Sequence, residues 1–98
     1  MMTVNVLIEG NLKDGERDGF TDICREAFKV TRAFDGCKHI DLVYNTEDGN
    51  HWFFNETWES KVRYAKYLKF RTKEGTLEAI AGLCEAPPSI KIFDIINT

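Results

Sequence analysis

The stretch that decides the fold covers residues 37–58 and reads CKHIDLVYNTEDGNHWFFNETW. In its first part large apolar side chains alternate with polar ones, which predicts a strand over 37–46. Its last part, 51–58, predicts a second strand that is rich in aromatic residues. The turn-forming residues at 47–50, with Gly49 expected at a positive φ, leave room only for an antiparallel hairpin.

The sequence on both sides of this hairpin supplies the remaining elements. Before it, alternation predicts a strand over 3–10, and apolar residues at helical spacing predict a helix over 15–33. After it, the same signals predict helices over 60–72 and 75–84 and a strand over 89–96. The order β-α-β-β-α-α-β predicts an α+β, ferredoxin-like fold, in which helices cover one face of a four-stranded antiparallel sheet.

Length and composition restrict residues 1–98 to a single domain. The 43% hydrophobic and 30% charged residues are values of a globular protein. No apolar run could span a membrane and residues 1–5 do not resemble a signal peptide, so we expect no membrane partner. The formal net charge of −3 argues against a nucleic-acid partner. Three cysteines without a C-x-x-C pair predict reduced thiols in a cytoplasmic protein and no metal site.

The aromatic residues, seven Phe, three Tyr and two Trp, are more than a core of this size needs. The sheet face away from the helices would carry Leu7 and Phe53, and an apolar sheet face in water is an aggregation hazard. We therefore expect a homodimer in which two sheets pack face to face. His39 and His51 fall on the same face, where surface or interface roles are expected.

The sequence also resembles a known family. The residues that carry the resemblance are the turn at 34–37 ending in Gly-Cys, the Glu-x-Trp-x-Ser pattern within 54–60, Tyr67 and Arg71 on the second helix, and 87–90 before the last strand. They are similar to the antibiotic biosynthesis monooxygenase (ABM) family of dimeric α+β barrel proteins. The resemblance implies a homodimer, a cavity between sheet and helices, and oxidation of an electron-rich aromatic ring without metal or flavin.

Two departures from the family pattern limit this comparison. Many family members carry a histidine on the second helix, where this chain has Tyr67. Haem-degrading members need an axial histidine after the third strand, and no histidine follows His51. The haem-degrading activity is therefore not expected, and no cofactor motif replaces it.

Arg71 is the sharpest single signal, because it falls in the apolar stripe of the second helix beside Tyr67. A cation there needs a partner or a route to water. One interpretation is structural, an ion pair with a carboxylate such as Glu56 or stacking on Tyr67. The other is functional, a donor to an anion or oxyanion in the cavity.

Glu56 also has two interpretations, because its position on the aromatic strand face places a carboxylate in the interior. It could be a structural partner for Arg71 or for backbone groups, or a general base with a raised pKa. The aromatic residues around it could be ordinary core or the walls of an aromatic-ligand pocket. The predicted catalytic residues are Arg71, Tyr67 and Trp58, and the predicted pocket residues are Trp52, Phe54, Glu56, Tyr64 and Tyr44.

Three functions remain open at this point. The first is a cofactor-independent monooxygenase that oxidises a small quinol or anthrone-type aromatic with O₂. The second is a non-catalytic dimer that binds a small aromatic ligand, and the third is a structural dimer without a pocket. A cavity too small for an aromatic ring would count against the first two.

Overall fold

The computed structural model describes residues 2–98 and contains the seven predicted elements in the predicted order. They are β1 (Val4–Asn11), α1 (Arg17–Ala33), β2 (Cys37–Tyr44), β3 (His51–Trp58), α2 (Lys61–Glu74), α3 (Thr76–Gly82) and β4 (Ser89–Asp94). No helix within residues 2–98 is long and apolar enough to cross a membrane.

The four strands form one antiparallel sheet in the order β2-β3-β1-β4. Strand β1 is central, and its Val4 pairs with Trp58 of β3 on one side and with Asp94 of β4 on the other. The predicted hairpin is present, with Leu42 opposite Phe54. This is the ferredoxin-like α+β arrangement that the sequence predicted.

The hairpin loop forms differently from the prediction. Gly49 has no positive φ, and its carbonyl accepts a hydrogen bond from Arg17 Nη1 at 3.3 Å. The loop is shaped instead by two side chains that bind backbone N–H groups two residues ahead, Asn45 Oδ1 and Asp48 Oδ1, at 2.8 and 3.0 Å. These local turns supply the bend that a left-handed glycine would otherwise provide.

The second helix is fixed at both ends by local chemistry. The Ser60 hydroxyl caps its start by accepting from the N–H of Arg63 at 3.2 Å. Gly75 ends it with φ of 96°, a left-handed conformation that glycine adopts without strain. Gly36 also has a positive φ, and a Cβ there would lie 2.6 Å from the Arg63 side chain.

The core lies between the sheet and the helices. Every second residue of β3 faces the helices and is buried, including Trp52, Phe54 and Trp58. Helix α1 packs on this face through Phe20 and Phe28. Alternation in β1 and β3 and helical spacing in α1 therefore predicted the buried faces correctly.

The opposite sheet face has no helix over it. Leu7 and Phe53 lie there and are half-buried by their neighbours, and Phe93 of β4 is exposed on the same side. Strand β4 is exposed on both faces, because Ile90 and Ile92, on the helix side, are only partly covered. Large apolar groups therefore remain in contact with solvent along one edge of the sheet.

Candidate functional site

A largely enclosed cavity of about 20 Å³ lies between the sheet and all three helices. This volume is close to that of one water molecule. Its walls are mostly apolar, and six of the lining side chains carry a polar atom; they come from α1, β3, α2 and α3. The lining residues are Ile8, Ala27, Phe28, Thr31, Ile40, Phe54, Glu56, Tyr64, Tyr67, Leu68, Arg71, Thr76, Leu77 and Ile80.

Arg71 forms one end of this cavity and binds α1. Its side chain is buried, with 4% of the residue exposed. Nε donates to the Tyr67 hydroxyl at 2.7 Å, and Nη2 donates to the Ala27 carbonyl at 2.6 Å and to Thr31 Oγ1 at 3.2 Å. The Tyr67 and Thr31 hydroxyls are themselves 2.7 Å apart. The guanidinium and two hydroxyls therefore form one network that joins α2 to α1.

The remaining nitrogen of Arg71 binds the junction of α2 and α3. Nη1 lies 3.4 Å from Glu74 Oε1 and 3.3 Å from Thr76 Oγ1. A guanidinium has five N–H donors, and each now has an acceptor. We call this set of contacts, formed by Arg71 with Ala27, Thr31, Tyr67, Glu74 and Thr76, the Arg71 network.

The predicted ion pair between Arg71 and Glu56 is wrong. The carboxylate that approaches Arg71 is Glu74, one helical turn further along α2. The expected contact with Tyr67 is present, since the guanidinium carbon lies 5.4 Å from the centre of the Tyr67 ring. Arg71 reaches the acceptors on α1 instead of the sheet, so Glu56 is left without a cation.

Glu56 forms a second polar group in the cavity, and it is only partly satisfied. The residue is 1% exposed; Oε1 accepts a hydrogen bond from Trp58 Nε1 at 2.9 Å, and Oε2 has no partner. Burial raises the pKa of this carboxyl from 4.5 to about 7, an effect that the Trp58 N–H partly offsets. Glu56 therefore titrates close to neutral pH.

Tyr64 lies on the wall beside Glu56 and is also incompletely bonded. The residue is 1% exposed and its hydroxyl has no hydrogen-bond partner. Burial raises the pKa of the Tyr64 hydroxyl, and the nearby Glu56 and Tyr67 raise it further. Tyr64 is therefore a neutral donor at all physiological pH values.

Five of the eight predicted site residues line this cavity, and three lie elsewhere. Arg71, Tyr67, Phe54, Glu56 and Tyr64 are on its walls. Trp58, Trp52 and Tyr44 are not among the lining residues.

The three other residues pack where their strands leave the cavity. The centres of the Trp58 and Tyr67 rings are 4.8 Å apart, so Trp58 packs behind a lining residue. Trp58 also donates a hydrogen bond to Glu56, which lines the cavity. Trp52 packs 4.7 Å from Phe20 near the start of α1. Tyr44 is at the far end of the hairpin strand, where Arg17 lies 3.9 Å from its ring centre. A shared sheet face therefore did not place all eight predicted residues at one site, because the face is longer than the cavity.

The cavity walls contributed by α1 and α3 were not expected from the sequence. Thr31 and Ala27 were part of the α1 stripe, and Leu77 and Ile80 were part of the α3 stripe, but both stripes indicated only core. Thr31 carried a usable signal, because a hydroxyl at the buried end of an apolar stripe usually has a specific partner. Its partners are Tyr67 and Arg71.

The fold and the cavity define a small ferredoxin-like α+β domain. The family model described as antibiotic biosynthesis monooxygenase matches residues 1–82, which is most of the chain. The chain therefore belongs to the antibiotic biosynthesis monooxygenase family. The match ends with α3, so β4 lies outside it. The comparison with curated proteins gives no match.

Solved structures with little sequence identity share this fold. SnoaB, a cofactor-independent oxygenase from Streptomyces nogalater, has a TM-score of 0.86 at 12% identity, covering 100% of this chain and 97% of that one. A conserved protein from Methanosarcina mazei Go1 has a TM-score of 0.87 at 14% identity, with coverages of 95% and 92%. Rv0793 from Mycobacterium tuberculosis has 0.76 at 19%, with coverages of 98% and 97%. Because these sequence identities are low, the three structures show a shared fold and nothing more specific.

Proposed function

We propose that this protein is a cofactor-independent monooxygenase that oxidises a small electron-rich aromatic compound with O₂ in the cavity between the sheet and the helices. The observation that carries the proposal is the chemistry of the cavity walls: two of the residues in these aromatic and aliphatic walls have a buried polar atom without a partner, Glu56 at Oε2 and Tyr64 at its hydroxyl. Family membership supports the class of activity.

The oxidation of such an aromatic compound by O₂ requires groups that these cavity walls contain. A hydroquinone or anthrone that has lost a proton gives electrons to O₂ much more readily than its neutral form. The protein then has to supply an apolar pocket, a hydrogen-bond donor for the developing oxyanion and a proton acceptor. The residues that line the cavity include apolar side chains, hydrogen-bond donors and a carboxylate.

In this proposal, Arg71, Tyr67 and Trp58, the three predicted catalytic residues, each have a distinct role. Arg71 Nη1 makes the two longest contacts of its network, to Glu74 and Thr76, so this nitrogen is the one that can turn toward a substrate oxyanion. The Tyr67 hydroxyl accepts from Arg71 and is engaged with Thr31, which holds its ring as a wall. Trp58 acts through its hydrogen bond to Glu56.

An aromatic ring does not fit in the present volume. A cavity that binds benzene is roughly 150 Å³, whereas this one is about 20 Å³. Substrate binding therefore requires the helices to separate from the sheet. Leu68 and Leu77 are the large apolar residues among the half-buried members of the wall, and their movement would open it toward solvent.

We also propose that the protein is a homodimer formed through the uncovered sheet face. Leu7, Val43 and Phe53 are half-buried there, and Phe93 is exposed. The remaining residues of the face are polar, so the interface would combine apolar and hydrogen-bonded contacts. Light scattering at micromolar concentration should give about twice the chain mass of 11.3 kDa; a mass near 11.3 kDa would exclude the dimer.

A second candidate function is a structural dimer with a filled core, and the small cavity favours it. Oxygen-electrode measurements with hydroquinone and anthrone, against their spontaneous oxidation, separate the candidates. O₂ uptake above autoxidation supports the monooxygenase. Thermal stabilisation by these compounds without O₂ uptake indicates a ligand-binding module. Neither uptake nor stabilisation indicates the filled core.

A further inference from the structure

Two residues on the wall of one cavity each have a buried polar atom without a partner, Glu56 at Oε2 and Tyr64 at its hydroxyl. Buried polar groups in folded proteins almost always have a hydrogen-bond partner. The third such atom in residues 2–98, Trp52 Nε1, is not on this wall. Because both residues line the same apolar cavity, one group that enters the cavity from outside the chain can serve as the partner of both atoms.

The size and chemistry of the cavity restrict what that partner can offer. The space of about 20 Å³ accepts one oxygen with its hydrogen, as in water or a hydroxyl group. The Tyr64 hydroxyl donates one hydrogen bond, and Glu56 Oε2 accepts one when it is ionised. A hydroxyl group satisfies both, because its oxygen accepts from Tyr64 while its hydrogen points to Glu56.

No cation of the site neutralises Glu56. Arg71 lines the same cavity, but all five of its N–H groups bind Ala27, Thr31, Tyr67, Glu74 and Thr76. The bond from Trp58 Nε1 stabilises only the other carboxylate oxygen. Because the pKa of Glu56 is raised to about 7, the carboxyl can both take up and release a proton at neutral pH.

We propose that Glu56 is the catalytic base of the site and that Tyr64 is its partner in recognising a ring hydroxyl. The hydroxyl binds between Glu56 Oε2 and the Tyr64 hydroxyl. Its O–H bond breaks, the proton forms a new O–H bond at Oε2, and the electron pair stays on the phenolate oxygen. The Tyr64 hydroxyl donates to that oxygen. This step rests on the proposed function, in which O₂ is the oxidant of the phenolate.

The proposal makes different demands on the two residues. In Glu56→Gln the ring hydroxyl keeps a hydrogen-bond partner but loses its proton acceptor, so kcat should fall by about 100-fold or more, within the range of general-base effects. In Tyr64→Phe the base remains and the donor is lost, so KM for the phenol should rise by roughly 10-fold. Glu59→Gln is the matched control, since Glu59 is exposed and follows β3 directly.

The experiment measures O₂ uptake and ligand binding with matched probes. Uptake with 1,4-hydroquinone is followed from pH 5 to 9 in the wild type and the three variants. The wild-type rate should rise with pH through an apparent pKa near 7, and Glu56→Gln should lose this rise. Binding of phenol and of anisole, its methyl ether, is followed by thermal shift. The preference for phenol should weaken in Glu56→Gln, because an amide oxygen accepts a weaker hydrogen bond than a carboxylate.

The results separate this proposal from the proposed function. Wild-type turnover that Glu56→Gln leaves unchanged, with the pH rise intact, overturns the base and leaves the oxygenase standing. A Glu56-dependent preference for phenol without any turnover overturns the oxygenase and the catalytic base together, and supports only the hydroxyl-binding site. If anisole binds as well as phenol in the wild type, the hydroxyl site is wrong.

Discussion

Arg71 and Glu56 are both buried, ionisable residues on the wall of one cavity, but their polar atoms are satisfied to opposite degrees. Every N–H of Arg71 meets an acceptor, whereas Glu56 keeps one oxygen without a partner. A buried charge that serves the fold is normally fully bonded, and one that serves chemistry is often left incomplete. The difference indicates that Arg71 mainly holds the helices together, with Nη1 as its most weakly held nitrogen. It also supports the proposal that a ligand binds at the Glu56 end.

The location of the two groups agrees with this division. The partners of Arg71 lie on α1, on α2 and at the start of α3, so the network connects all three helices. Glu56 is on β3, an inner strand of the sheet, and its one side-chain hydrogen bond is to Trp58 on the same strand. A group fixed on a strand gives a ligand a well-defined position.

The largest expected effect is on stability at the Arg71 end. Arg71→Ala removes five hydrogen bonds and leaves buried acceptors on α1 without a donor, so the free energy of unfolding should fall by about 4 kcal/mol. Urea denaturation measures it. The control is Arg25→Ala, whose ion pair with Asp22 is exposed and should cost less than about 1 kcal/mol. Equal losses in both variants would remove the structural role of Arg71.

The next effect is on the pH dependence of stability at the Glu56 end. The folded protein binds the Glu56 proton more tightly than the unfolded chain, because burial raises the pKa from 4.5 to about 7. This stability is complete below pH 4.5 and is lost as the pH rises to about 7, by roughly 3 kcal/mol. Comparison with Glu56→Gln isolates it from other titrations. A constant difference between the two proteins from pH 4 to 8 would contradict it.

A smaller effect tests whether the cavity between the two groups can be opened. Leu77→Ala shortens a half-buried wall residue and should cost about 2 kcal/mol while enlarging the cavity. Phenol should then stabilise the variant in a thermal-shift assay more than it stabilises the wild type. Val62→Ala, at an exposed position of α2, is the control. If phenol stabilises Leu77→Ala no more than the wild type, the wall has collapsed into the space and the prediction is wrong.

The smallest effect concerns the one bond that Glu56 has. Trp58→Phe removes the N–H that lowers the pKa of Glu56, so that pKa should rise further. Carboxyl NMR of Glu56 measures the midpoint. Trp52→Phe is the matched control, because Trp52 is equally buried but does not bind Glu56. A midpoint that stays unchanged in Trp58→Phe would place the hydrogen bond elsewhere.

The fold could be predicted from the sequence because each element carries its own periodic signal. Strand β3 has its predicted bounds of 51–58, and α2 runs to Glu74 instead of 72. The start of α1 at Arg17, two residues later than predicted, follows from the turn at 14–15, where Gly15 has a positive φ. These differences are of the size expected from local signals at element ends.

The site was only partly predictable, for a physical reason. Helical spacing placed Tyr64, Tyr67 and Arg71 on one face, but it says nothing about which partner faces them. The contact of Arg71 with Ala27 joins residues far apart in sequence, and it depends on how α1 and α2 cross on the sheet. For the same reason the sequence suggested Glu56 as the ion-pair partner, although Glu74 takes that position.

The central position of β1 has a consequence for folding kinetics. Val4 pairs with Trp58 and Asp94, so both neighbours of this strand come from distant parts of the chain. Closing such long loops costs entropy before any strand pairing repays it. Helix α1 and the β2–β3 hairpin can form from local contacts. Strand β1 can pair only after the distant strands β3 and β4 have come close to it. The rate-limiting step of folding should therefore be the docking of β1, and substitutions at Val4 or Val6 should slow folding more than substitutions of equal cost in α1.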